Sequence, residues 1–137
     1  MAKFKDLRDW INQVREIGEL AEIEGADPKF EMGSLAELSS RNQGPAVLHR
    51  ATKGHPPNFR VLTNMMSNIR TFNLTFGFPL ENTFRDTIES MRTKVMEWER
   101  AAERFSPQVV KTGPIMENVL EDDRVDLNIF PVPTWHE

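Results

Sequence analysis

Phe4, Leu7, Trp10, Ile11, Val14 and Ile17 recur every three or four positions, the spacing of one helical face. Asp6 has the side chain of an N-cap, with Asp9 at the positive end of the helix dipole, and Gly18 suits a left-handed stop. Leu20 to Glu24 predicts a short strand, with Leu20 and Glu22 on one face and Ile23 on the other. Asp27-Pro28 predicts a second helix start, Asp as cap and Pro at the first helical position. Met32, Leu35, Ala36 and Leu38 would form its apolar side, and Asn42-Gln43-Gly44-Pro45 would end it. Ala46 to Arg50 and Phe59 to Met66 are short, apolar and compatible with strands. Between them, the Gly and paired Pro of KGHPPN exclude a helix interior.

Ser67 can cap a brief helix bearing Ile69, Phe72 and Phe76, ended by Gly77. The strongest periodicity follows: Phe84, Ile88, Met91, Val95, Trp98, Ala102 and Phe105 alternate at spacings of four and three. It predicts a long amphipathic helix from about Leu80 to Arg104, with Trp98 in core or inter-domain packing. After Ser106-Pro107 the pattern changes to short apolar clusters (Val109-Val110, Val119-Leu120, Val125 to Ile129) divided by turn residues. Pro131 and Pro133 force an extended, edge-like ending, FPVPTWHE. An unpaired strand edge there is an aggregation hazard. A chain stopping inside such a segment is expected to be cut rather than finished. The predicted fold class is α+β: a small α/β layer domain over residues 1–108, then, over 109–137, the beginning of a separate β region.

Composition narrows the function classes. A chain of 137 residues holds one modest domain, or one domain and a fragment of another. Its formal net charge of -4 argues against nonspecific nucleic-acid binding, which needs a basic face. No apolar run reaches the roughly 18 residues of a membrane span, and the first ten residues lack the apolar core of a secretory signal. Cysteine is absent, which removes disulfides, thiol nucleophiles, thiolate zinc sites and Fe–S clusters. It fits a reducing compartment, and the expected location is cytoplasmic.

The candidate chemistry is sparse. The three histidines are His49 in a strand, His55 in a Pro-rich loop and His136 beside Glu137. His49 and His55 match no standard metal spacing, and neighbours in an extended chain, such as His136 and Glu137, point to opposite faces. No serine has a Gly-x-Ser-x-Gly context, and the scattered glycines form no phosphate loop. Gly33-Ser34 reads better as a helix residue packed closely against a neighbour. Glu16, Glu19, Glu22 and Glu24 read as surface charge. No residue is assigned a catalytic, cofactor-binding or metal-binding role.

Together the motifs resemble the N-terminal region of the UbiD family of decarboxylases, which use prenylated FMN. The resemblance rests on Asp6-Leu7-Arg8, Gly18-Glu19-Leu20, Asp27-Pro28 with Glu31-Met32-Gly33, and Gly44-Pro45-Ala46-Val47-Leu48. Val61-Leu62-Thr63-Asn64, Arg70, Gly77, Val125-Asp126-Leu127 and the run from Phe130 to Glu137 continue it in order along the whole chain. It implies an N-terminal α/β domain followed by the first strands of an incomplete split β-barrel, the flavin-binding domain, from residue 109. It implies a reversible, non-oxidative decarboxylase of aromatic or α,β-unsaturated acids. The complete family enzyme would hold prenylated FMN with a divalent metal (Mn or Mg), and K in several members. The family's metal–phosphate ligands and its Arg–Glu–Glu set match no position here. The chain is therefore expected to be a scaffold, inactive alone and binding no cofactor alone. Its partners would be the remaining barrel and C-terminal domains, or a subunit bearing them, in a homo- or hetero-oligomer. The alternatives are a stand-alone assembly module that binds a decarboxylase, or a small enzyme built on His49, His55 or His136.

Overall fold

The computed structural model describes residues 4–135. Helix α1 (Leu7–Glu16) leads into strand β1 (Leu20–Glu24), helix α2 (Glu31–Arg41), strand β2 (Ala46–Arg50) and strand β3 (Val61–Thr63). Helices α3 (Ile69–Phe76) and α4 (Phe84–Ala102) follow, then three single-turn 3-10 segments. The sheet order is β1-β2-β3, with β1 and β2 parallel and β2 and β3 antiparallel. The parallel pair requires a crossover, and α2 provides it.

Alternation along β2 divides the interior into two faces. Ala46 and Leu48 pack with Trp10, Ile11 and Val14 of α1, with Leu20 and Leu62 on the same side. Val47 and His49 take the other side, where α2 packs and buries Met32 and Ala36. Burial of each large apolar side chain contributes about 2 kcal/mol. The Trp10 indole N–H donates to Thr75 Oγ1 at 3.0 Å, so its burial leaves no orphan donor.

Local signals set α1. Asp6 accepts the Asp9 amide as its N-cap, and Gly18 turns the chain at φ 77°. Strands β1 and β2 have the bounds the sequence predicts. Elsewhere long-range contacts override the local pattern. Helix α2 begins at Glu31, not at Asp27-Pro28, because the Pro28 carbonyl and Phe30 amide bond to Thr134 of the tail. Leu38, expected on the apolar side of α2, is exposed. Strand β3 covers only Val61–Thr63, since Asn64 turns left-handed and donates its side-chain amide to Ala36 O. Asn68 caps α3 in place of Ser67, whose hydroxyl donates to Gly44 O.

The tail departs most from expectation. Among the described residues it contains no barrel strand, only one parallel bridge between Lys29 and Thr134. Its apolar clusters find no neighbouring strand to pair with. From 103 to 128 every residue except Gly113 is exposed.

Candidate functional site

The motif residues that carried the resemblance meet at structural joints. Glu19 is not free surface charge: its carboxylate takes Arg70 Nε at 2.8 Å and the Asn68 side-chain amide at 2.9 Å. The same Asn68 amide reaches Gly44 O at 3.0 Å. These bonds tie the start of β1 and the start of β2 to α3. Glu22 lies between Arg15 and Arg50, each at 2.8 Å, and both partners hold its carboxyl below the ordinary carboxylate range. The outer strand β1 is thereby faced with paired charge.

The two described histidines, His49 and His55, lie in separate settings. His49 is fully buried in β2, and neither ring nitrogen has a hydrogen-bond partner. Burial pushes its pKa below 6.5, against the opposing charge of Glu31. It is a neutral residue of the core. His55 is half-buried in the loop before β3, its Nδ1 3.2 Å from Ile129 O, so it holds the tail. His136 and Glu137 lie outside the described residues. No group of three or more His, Asp or Glu among the described residues could hold a metal ion.

A groove of about 740 Å³ lies between α3 and α4. Ile69 and Phe72 line one wall, and Phe84, Ile88 and Met91 the other. Two contacts set the angle of the helices. Thr87 Oγ1 donates to Asn73 Oδ1 at 2.7 Å in a buried position, and the Phe76 and Trp98 rings lie 5.6 Å apart. Thr87 is the only residue of α4 that is fully buried. The helix therefore rests on the domain through a narrow contact. Most of its apolar stripe faces outward: Phe84 is 72% exposed, and Ile88 and Val95 are about half exposed. The one cation lining the groove, Arg92, is paired with Glu89 at 3.2 Å.

This arrangement does not fit a flavin phosphate with its metal. The groove is apolar, its Arg92 guanidinium is already paired, and no group of three or more His, Asp or Glu among the described residues could hold a metal ion. What its lining offers chemically is chiefly apolar area.

Comparison with known proteins decides the family. The profile of the 3-octaprenyl-4-hydroxybenzoate carboxy-lyase N-terminal domain matches residues 11–91. The chain belongs to the UbiD family. A pyrrole-2-carboxylic acid decarboxylase of Pseudomonas aeruginosa is 28% identical over 141 residues, covering 96% of this chain. This UbiD-type chain spans only 27% of that relative's length. The vanillic acid decarboxylase of Sedimentibacter hydroxybenzoicus, in closed form, superposes with a TM-score of 0.75 at 24% identity, over 98% of this chain and 28% of that one. The UbiD-class enzyme HmfF from Pelotomaculum thermopropionicum, in complex with FMN, gives 0.68 at 22% identity, over 96% of this chain and 27% of that one. The UbiD N-terminal fold is thus present, and its motif residues Glu19, Gly44 and Arg70 take part in the bonds that join β1, β2 and α3.

Proposed function

We propose that this chain is the N-terminal scaffold of a UbiD-type reversible, non-oxidative decarboxylase acting on an aromatic or α,β-unsaturated acid. Residues 1–108 form the α/β domain and 109–137 begin the flavin-binding domain. Prenylated FMN, its divalent metal and the reacting groups belong to the remaining barrel and C-terminal parts. Those parts, on the same or a partner polypeptide, cover the α3–α4 groove. The observation that carries this reading is the outward apolar stripe of α4, in a chain spanning 27% of its relative. Exposed apolar area of this extent marks a surface that another body covers.

The test has two arms. The chain, supplied with prenylated FMN, Mn²⁺ and pyrrole-2-carboxylate or vanillate, is expected to release no CO₂ and to retain no flavin. Turnover by the chain alone would overturn the scaffold reading. Purified from its own cells through a tag, it is expected to bring down a polypeptide carrying bound flavin and decarboxylase activity. Recovery of an intact decarboxylase with its own N-terminal domain would favour the assembly-module reading instead.

A further inference from the structure

The segment from Ile129 to Trp135 returns to the domain after an arm that touches almost nothing. Contacts from three segments of the domain receive it. The Thr134 amide donates to Pro28 O at 2.9 Å, and the Phe30 amide donates to Thr134 O at 3.2 Å. His55 Nδ1 meets Ile129 O. The Phe130 ring stands edge-on to Phe59, centroids 5.4 Å apart. Pro131 is buried.

A further contact explains a glycine. A Cβ on Gly33 would stand 2.9 Å from both Thr134 O and Trp135 Cα. Only a residue without a side chain lets the tail backbone lie directly on α2. The turn before it is equally specialised. Phe30 adopts φ 71°, a region costly for a bulky side chain, and it does so where its amide meets Thr134. Neither feature serves α2 itself, which would be better served by a Ser or Asp cap at Phe30 and by Ala at position 33.

We infer that Pro28–Gly33 is a dedicated seat for the extended segment 129–135. It tethers the arm 103–128 at its far end, α4 holding the near end, and it fixes the heading of the backbone at Trp135. Gly33 and Phe30 are positioning residues for that segment. The inference concerns contacts within this chain and stands whether or not the chain serves a decarboxylase.

Amide exchange of the whole chain, followed by NMR, tests it. The Phe30 amide is the best reporter, because it belongs to the body yet donates to the tail. In the wild type it is expected to be protected at least tenfold relative to the amides of 108–112. Thr134→Pro removes the donor to Pro28 at an exposed site, and Gly33→Val fills the space under Trp135. Each is expected to abolish protection at Phe30 and to leave the β2 amides protected. If Gly33→Val also unprotects β2, Thr134→Pro alone decides. An unprotected Phe30 amide in the wild type, or one still protected in Thr134→Pro, would overturn the seat.

Discussion

His49 shows what a single buried polar group does to a small core. Both ring nitrogens lack partners, and so does the buried Thr52 hydroxyl nearby in sequence. In the unfolded chain the imidazole titrates near 6.5, and in the folded state burial holds it lower while Glu31, facing it from α2, pulls the other way. As pH falls, the unfolded state takes up the proton first, so stability is full above about pH 6.5 and is lost below it. The carboxylates with lowered pKa, Glu22, Asp27, Asp86 and Glu97, act in the same direction but only below their ordinary values of 4.5 for Glu and 3.8 for Asp. The two effects separate on a pH axis. His49→Leu is expected to flatten the melting temperature between pH 7 and 5.5 while keeping the wild-type decline below pH 4.5. It is also expected to leave stability at pH 7.5 equal or higher, since it removes two orphan nitrogens from the core. Thermal melts at half-unit pH steps check both outcomes.

Among the elements, α4 is the one whose formation and attachment come apart. Its start is a full capping box, in which Thr83 receives the Asp86 amide and Asp86 receives that of Thr83. Thr83→Ala is expected to cost about 1 kcal/mol of local helix stability. Because so little of α4 is buried, the loss should appear as frayed helix in far-UV circular dichroism with little change in the global melt. Thr87→Val is expected to do the reverse. It leaves Asn73 Oδ1 buried without its donor, at a cost of about 1–3 kcal/mol. Helicity should persist while α4 loses its angle to α3, visible as lost Phe76–Trp98 contacts in NOE spectra. The sequence made α4 legible through its period, and made α1, β1 and β2 legible through local caps and alternation. It could not show the Phe30 bend, the short β3 or the Asn68 cap. Each depends on a partner far along the chain: Thr134, Ala36 and Gly44 respectively. Gly33 was legible as a close-packed helix residue, but not which backbone it meets.

Over the whole molecule, the exposed apolar side chains among the described residues fall mainly in two places, the α4 stripe and the tail from Phe105 onward. The groove between α3 and α4 could not be read from the sequence, because periodicity places residues on a helix but not helices against each other. The described tail has no strand edge, and α4 adds an exposed apolar surface to the exposed side chains of the tail. Ile88→Glu with Val95→Glu is expected to keep the fold within about 0.5 kcal/mol, as surface changes do. The same pair should abolish concentration-dependent association in sedimentation velocity and, under the proposed function, capture of the flavin-bearing polypeptide. Retained capture by the double variant would exclude α4 as the docking face.

The aromatic inventory gives the molecule a built-in set of optical reporters. The chain has no tyrosine and three tryptophans. Trp10 lies on the core face of α1, Trp98 on the α4 stripe, and Trp135 over Gly33. Variants that retain one indole at a time would give emission from the interior, the outer helix and the returning tail separately. A red shift confined to one of the three would say which layer had come loose.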